Sequence, residues 1–159
     1  MKNRLRMLLV GCFALVSISM MAQGKTMLIS ESGLPYTEQT WYAYGVGQPL
    51  DESDITSNWN LGKRIVSAAY TKEGWLVVMA KNTEYVQQSF SLTKEWPEEW
   101  IAEKTKSGYA ITSLSRSEKE WLVVMSQGSG ITSQIIWRNE WAELAPWITE
   151  QKGNGYLIT

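Results

Sequence analysis

The chain contains nearly the same stretch twice, and this repetition limits what it can fold into more than any other feature. Residues 74–88 read GWLVVMAKNTEYVQQ, and residues 120–134 read EWLVVMSQGSGITSQ. Trp75 and Trp121 lie 46 positions apart. The same spacing separates Ile65 from Ile111, Ser67 from Ser113, Gly62 from Gly108, and Gln88 from Gln134. Because an internal period of about 20–50 residues is typical of repeat architectures, we predict a repeat-built domain.

A third copy is divided between the two ends of the chain. Residues 155–159 (GYLIT) repeat residues 108–112 (GYAIT). Near the N-terminus, Met27 to Ser30 matches Val123 to Ser126, and Thr37 to Gln39 matches Thr132 to Gln134 with one residue of slippage. We predict one domain over residues 23–159, made of a partial repeat (25–61), two repeats (62–107 and 108–154) and a closing strand (155–159).

Each repeat has the pattern of three strands and a short helix. The apolar run from Trp121 to Met125 is typical of a strand covered on both faces, and residues 131–137, after a glycine turn, predict another strand. Pro97, followed by Glu98 and Glu99, predicts a short helix, because proline and acidic residues favour the first helical turn. The predicted fold class is all-β with short helices, in a propeller-like or compact three-fold arrangement. Pairing of the N- and C-terminal strands would close it and remove an exposed edge.

The pattern GYxITS…WLVVMSxGxGxTxQ…PxxWI resembles a repeated domain of unknown function, which follows the kinase domain in plant casein-kinase-I-like kinases and also occurs in bacterial proteins. The matching residues are Tyr109, Ile111, Thr112, Trp121 to Ser126, Gly128, Gly130, Thr132, Gln134, Pro97, Trp100 and Ile101. The earlier repeat departs from the pattern, since Lys63 replaces the tyrosine, and Asn82 and Glu84 replace the two turn glycines. The resemblance implies propeller-like repeats and carries over no active site.

The N-terminal segment has the layout of a secretory signal peptide (residues 1–22). Basic residues between positions 2 and 6 precede an apolar run from Met7 to Met21, and the small Ala22 precedes the polar Gln23. The run is short for a membrane span, which needs about 20 apolar residues. We predict cleavage between Ala22 and Gln23, a secreted or periplasmic protein, and no integral membrane segment after cleavage.

Cys12, the only cysteine, permits a second interpretation of this segment. Leu9 to Cys12 resembles a bacterial lipobox, which would make the protein an outer-surface lipoprotein. Most of the apolar run follows the cysteine, however, so the part before it is shorter than the usual h-region of about 7–15 residues. Cleavage after Ala22 would leave a chain without cysteine, whose core must hold the fold without a disulfide.

Composition argues against several classes of function. The chain has no histidine, which the Ser-His-Asp triad and the commonest zinc sites require. Its net charge of −1 and its lack of a basic patch argue against a nucleic-acid partner. Glu98 and Glu99 could suggest glycoside hydrolysis, but adjacent helical residues point about 100° apart, whereas the two catalytic carboxylates must face each other. We predict no catalytic residue, no metal site and no cofactor.

Candidates for a ligand or partner face are three glutamines at matching positions and one glycine turn. They are Gln39, Gln88, Gln134, Gly128, Ser129 and Gly130. Buried amides need hydrogen-bond partners, so the glutamines either bond the backbone within each repeat or form a ring of ligand-binding amides. The glycine turn is not a phosphate loop, because that loop needs a lysine and a following helix.

Nine tryptophans and seven tyrosines are many for this length, and they can supply a core without disulfides. We expect core positions for Trp75 and Trp121. We also expect packing, rather than stacking on sugars, for the tryptophans beside the short helices: Trp96, Trp100, Trp141 and Trp147.

The repeat and the signal peptide together predict a secreted, non-catalytic binding or scaffolding module. Its partner would be a protein or a cell-surface component, and copies of the chain could assemble. A carbohydrate-binding module, with a glycan as ligand, is the alternative, because exposed aromatic faces stack on sugars. A glycoside hydrolase is a third interpretation.

Overall fold

The structure of the protein, a computed structural model, describes residues 16–20, 25–29, 36–138 and 140–157. Its strands are β1 (Val16–Met20), β2 (Lys25–Ile29), β3 (Thr37–Gly45), β4 (Arg64–Thr71), β5 (Gly74–Lys81), β6 (Gln88–Thr93), β7 (Ala110–Arg116) and β8 (Trp121–Ser126). Its helices are α1 (Glu52–Asn60), α2 (Glu98–Lys106) and α3 (Leu144–Gly153), and a 3₁₀ turn spans Trp141–Glu143.

Two three-stranded antiparallel sheets share one strand order. The first sheet is β3-β5-β4 and the second sheet is β6-β8-β7. In each sheet, the strand that comes last in the sequence lies in the centre, and a helix connects the two outer strands. The central strands carry the two WLVVM runs, and residues 122–126 are fully buried. The prediction of a mostly β fold with short helices is therefore confirmed.

Local sequence sets where the helices begin. Asp51 precedes α1, and its Oδ1 accepts a hydrogen bond from the Ser53 N–H at 2.8 Å, as N-terminal capping residues do. Hydrogen bonding from the Ser53 side chain, and secondly from the Ser53 N–H, lowers the pKa of Asp51. Pro97 lies directly before α2, with Glu98 and Glu99 in the first turn. The short helix predicted at this position is confirmed.

The two sheets meet along their outer strands β4 and β7. The Ala68 N–H donates to Ser113 Oγ at 3.0 Å, and the Tyr70 N–H donates to Ser115 Oγ at 2.8 Å. Because β4 is an edge strand, these hydroxyls bond backbone groups that would otherwise be available to another chain. Serine side chains on one sheet thus cover the edge of the other.

One apolar core is built from both sheets and α1. Its buried residues are Leu50, Ile55, Ile65, Ala68, Trp75, Val77, Met79, Leu122 and Val124. Trp75 is 3% exposed, which confirms its predicted core position. Trp121 is only half-buried, because it is the first residue of β8. Trp96 and Arg116 contact its ring. Trp121 is not among the buried core residues, so the prediction of a core position for Trp121 is wrong.

The predicted closure into a three-fold or propeller-like structure is not found in the described residues. Neither three-stranded sheet is closed. Residues 131–137, predicted as a strand, are irregular, because no described strand lies beside them to pair. β2 pairs with β1 instead of the C-terminal residues, and Leu157 is 85% exposed. The last two residues of the predicted closing strand, 158 and 159, lie outside the described part of the chain.

β1 and β2 form a two-stranded antiparallel sheet in which Met20 is opposite Lys25. β1 falls within the predicted signal peptide. Cys12 and the predicted cleavage position between Ala22 and Gln23 lie outside the described residues, so cleavage and lipidation stay predictions. No helix within the described ranges is long and apolar enough to cross a membrane.

Candidate functional site

Gln88, at the start of β6, connects the two sheets through four hydrogen bonds. Its Oε1 accepts from the Ile65 N–H at 2.7 Å and from the Trp59 Nε1–H at 3.1 Å. Its Nε2 donates to the Ile65 carbonyl and to Ser126 Oγ, both at 2.9 Å. Because an amide side chain has two donor and two acceptor positions, Gln88 has no hydrogen-bonding capacity left for a ligand.

Gln134 makes the same pair of bonds to an isoleucine backbone, which we call a glutamine clamp. Its Oε1 accepts from the Ile111 N–H, and its Nε2 donates to the Ile111 carbonyl, both at 2.6 Å. Each glutamine follows its isoleucine by 23 residues. The clamp therefore holds the chain around Gln134 against β7 as Gln88 holds β6 against β4. Gln39 is exposed, and a ligand-binding role for Gln39 and Gln134 stays a prediction.

Gly128, Ser129 and Gly130 form a turn after β8. The two glycines have φ values of +79° and +73°, which side chains disfavour. A Cβ at Gly128 would lie 2.5 Å from the Glu84 carbonyl oxygen, so two loops make close contact here. Ser129 Oγ accepts from the Ile131 N–H at 3.3 Å. These contacts show a structural turn; its part in a partner face stays a prediction.

A groove with a volume of about 720 Å³ lies between residues 131–137, α3 and β7, and we call it the C-terminal groove. Its apolar side chains include Ile131, Ile135, Ile136 and Trp137 from the irregular segment, and Trp147 and Ile148 from α3. Hydroxyl and amide groups line the rest, together with Lys152. Among the described residues that line the groove, none carries a carboxylate.

Trp137 joins the irregular segment to α3. Its ring lies against the Trp147 ring, with the centroids 5.0 Å apart. The Trp137 Nε1–H is buried and has no hydrogen-bond partner in the described part of the chain. Buried donors are nearly always partnered, so this indole is an exception within the described part of the chain.

A family model described as a domain of unknown function (DUF7477) matches residues 10–159. The chain belongs to this family. The match confirms the resemblance to a domain of unknown function, whereas the association with kinase domains stays an expectation. Comparisons with curated proteins and with solved structures found no match.

The remaining tryptophans of the DUF7477 domain divide into packed and exposed ones. Trp96 packs its ring edge-on against Trp121, with the centroids 5.2 Å apart, as expected for a residue beside a helix. Trp141 is 83% exposed, so the prediction that it packs is wrong. It lies in the 3₁₀ turn before α3, where no described element covers it. Trp41, in β3, is also 69% exposed.

A polar cluster in the DUF7477 domain fastens α1 to β3. The Tyr44 hydroxyl donates to Asp54 Oδ2 at 2.8 Å. Asn58 Nδ2 donates to the Tyr42 hydroxyl, and also to the Asp54 carbonyl at 2.8 Å. Burial, and secondly the bond to Asp54, raise the pKa of Tyr44 above its ordinary value of 10.0. None of these residues lines the C-terminal groove, so the cluster supports the fold rather than the site.

Sequence reasoning missed the groove, although one signal for it was present. Ile135, Ile136 and Trp137 are three consecutive apolar residues, which predicted a strand but not what would cover it. In the structure Ile135 and Ile136 are exposed. A predicted strand without an assignable neighbour is therefore the feature that marks the site.

Proposed function

We propose that this DUF7477 domain is a secreted, non-catalytic binding module that takes an extended apolar segment of a partner protein as an added strand. The site is the C-terminal groove. One observation carries the proposal: residues 131–137 line the groove, and β6, to which this segment corresponds at the 46-residue spacing, pairs with the central strand β8.

The two glutamine clamps support this correspondence. Gln88 holds β6 against β4, and Gln134 holds the irregular segment against β7. In the second sheet β8 lies beside β6, with Gln88 opposite Ser126. The matching place beside the irregular segment is open and apolar, and it is large enough for an extended peptide.

The backbone and the side chains of a segment added in the groove would have different roles in binding. In strand addition, main-chain hydrogen bonds supply affinity, and pockets for alternate side chains supply specificity. Residues 131–137 have no strand partner in the described part of the chain. Ile135 and Ile136 offer apolar contacts to an incoming segment. The partner is thus an apolar strand rather than a charged one.

The chemistry of the lining favours binding over catalysis. Glycoside hydrolysis requires two carboxylates that face each other, and the described lining offers hydroxyls, amides and one amine. No group of three or more potential metal ligands occurs among the described residues. These side chains are suited to contact with a segment of a partner.

A labelled peptide tests the proposal directly. The probe carries the β8 sequence, residues 121–126, flanked by lysines, and fluorescence anisotropy reports its binding to the full chain. We expect saturable binding that weakens at least about tenfold in Ile136→Asp, because a charge would be buried without a partner. Val46→Asp, at an exposed apolar position outside the groove lining, is the control and should bind normally.

A second peptide, with proline at the position of Val124, distinguishes strand addition from nonspecific hydrophobic binding. Proline cannot donate to a strand ladder, so this peptide should bind much more weakly. Equal binding of both peptides, or unchanged binding in Ile136→Asp, would contradict the proposed mode.

Carbohydrate binding is a second candidate, supported by the exposed faces of Trp141 and Trp41. Exposed aromatic rings present the apolar surface on which sugars stack. A glycan array screened with the full chain would favour this candidate only if saturable binding is lost in Trp141→Ala or Trp41→Ala and retained in Ile136→Asp.

A further inference from the structure

We infer that the strand filling the C-terminal groove is β2 of a second copy of the chain, so that two copies exchange their N-terminal strands. The inference rests on the proposed function, because it names the partner of the same groove. Three observations identify β2: its sequence, its place in the chain and the position of Gln39.

β2 resembles β8 both in its sequence and in its connection to the next segment of the chain. Residues 27–29 (MLI) match residues 123–125 (VVM), which form the middle of the central strand β8. β2 leads into β3 through a short link, as β8 leads through the glycine turn into the irregular segment. β2 therefore has the composition and the chain position of a central strand, although its described partner is β1 alone.

The register of the second sheet predicts which residues of β2 and of residues 131–137 would lie opposite each other. Phe90 of β6 lies opposite Val124 of β8. The equivalent of Phe90 at the 46-residue spacing is Ile136, and the match of β2 to β8 makes Leu28 the equivalent of Val124. Leu28 of one copy would thus lie opposite Ile136 of the other.

Gln39 is an independent observation that points the same way. It matches Gln88 and Gln134, both of which clamp an isoleucine in the outer strand of the preceding sheet. The isoleucine that the repeat assigns to Gln39 is Ile158, which lies outside the described residues. Because β2 and Gln39 are close in sequence, one copy would present both to the C-terminal part of the other.

The described structure favours a second copy over closure within one chain. β2 pairs with β1, and the C-terminal groove of the same chain stays open.

Signal-peptide cleavage would make β2 available for this exchange. In the described structure β1 pairs with β2 along its whole length. β1 lies within the predicted signal peptide, so cleavage after Ala22 would remove β1 and leave an open edge on β2. Assembly would then follow export.

Cysteine pairing between copies tests the inference. Leu28→Cys and Ile136→Cys are made in separate full-length chains, both carrying Cys12→Ser, and each is produced in an exporting host. Opposed residues in an antiparallel pair have Cα atoms about 4.5–5.5 Å apart, a distance that a disulfide spans. Mixing the two chains under mild oxidation should give a covalent heterodimer, and light scattering of the unmodified protein should give twice the chain mass.

Matched variants keep the test specific. Val46→Cys, exposed and outside the groove lining, should not pair with Leu28→Cys. Gln39→Met should weaken dimerisation at least about tenfold, since it removes the amide that would clamp the second copy. A Gln39→Met protein that dimerises like wild type would count against the inference.

The outcomes separate this inference from the proposed function. Peptide binding without an intermolecular disulfide would retain the proposed function and overturn the second copy as partner. A disulfide formed within one chain carrying both cysteines, with no heterodimer in the mixture, would overturn exchange in favour of closure of a single chain. Absence of both peptide binding and disulfide would overturn both.

Discussion

Gln88 and Gln134 make the same two bonds to an isoleucine backbone, yet their surroundings differ. Gln88 is half-buried and also bonds Trp59 and Ser126, whereas Gln134 is exposed. Losing a hydrogen bond is costly when the partner left behind cannot reach water, and cheap when water can replace the lost group. The two glutamines therefore differ in burial and in the number of their hydrogen bonds, and both differences should make the loss of Gln88 the more costly.

Replacement of Gln88 by methionine, which is similar in length, should lower the free energy of unfolding by about 2–3 kcal/mol. The reason is that the backbone groups of Ile65 and the indole of Trp59 would lose their partner. Gln134→Met, the matched control, should cost less than about 1 kcal/mol. Urea unfolding curves measure both, and equal losses would show that neither burial nor the additional bonds of Gln88 set the cost.

The two turn glycines form a second matched pair. Gly128 and Gly130 both have a positive φ, which costs a residue with a side chain about 1–2 kcal/mol. Only Gly128 also faces a backbone oxygen at 2.5 Å from the position of a Cβ. Gly128→Ala should therefore destabilise by more than about 3 kcal/mol, against about 1–2 kcal/mol for Gly130→Ala. Thermal or urea unfolding that ranks the two variants in the opposite order would contradict this contact.

Tyr44 should make the stability of the folded protein depend on pH in the alkaline range. Its pKa in the folded state is raised above the ordinary value of 10.0, so its contribution to stability is fully present below that pH and is lost as the pH rises through the folded-state pKa. Between about pH 8 and about pH 11, wild type should therefore lose more stability than Tyr44→Phe. Tyr109→Phe is the control, because the Tyr109 hydroxyl donates to the exposed Gln87. An identical loss in wild type and Tyr44→Phe would refute the assignment.

At the scale of elements, the contact between β4 and β7 shows how one sheet protects the edge of the next. The hydroxyls of Ser113 and Ser115 take the places that a further strand would occupy on β4. Serine can do this because its short side chain reaches a neighbouring backbone without adding a continuous ladder. The contact thus holds the sheets together and keeps the edge from pairing with other chains.

The variant Ser113→Ala/Ser115→Ala should expose the amides of Ala68 and Tyr70 to exchange. Each lost hydroxyl leaves a partly buried N–H unpaired, at a cost of about 1–3 kcal/mol. Hydrogen–deuterium exchange followed by mass spectrometry should show faster exchange over β4 with little change over β5. Ser91→Ala, on the opposite outer strand of the second sheet, is the control. If β4 keeps its protection in the double variant, the serines do not cover that edge.

Element prediction worked where the local sequence decides the structure. The WLVVM runs became central strands because an uninterrupted apolar run needs cover on both faces, and Pro97 with two glutamates marked α2. Prediction failed at residues 131–137, where composition favours a strand but a strand also needs a neighbour. Pairing is a property of the fold, so Ile135 and Ile136 could not indicate by themselves that they would be exposed.

At the scale of the whole molecule, the repeat predicted matching contacts more reliably than it predicted closure. The spacing of Gln88 and Gln134 anticipated a shared position, and the structure gives both the same clamp. Bonds to the backbone within each repeat are one of the two interpretations that the sequence offers for these glutamines, and the structure shows that the bonded groups belong to Ile65 and Ile111. Closure depends on the angle between neighbouring sheets. Sequence identity between the repeats contains no information about that angle.

The central claim is that the C-terminal groove accepts a strand beside residues 131–137. Hydrogen–deuterium exchange of the full chain, with and without the β8-sequence peptide, measures this most directly, with β6 as an internal reference. We expect residues 131–137 to become protected when the peptide is added, approaching the protection of β6, and Ile136→Asp to abolish the change. Rapid exchange over residues 131–137 at a saturating peptide concentration would contradict the claim.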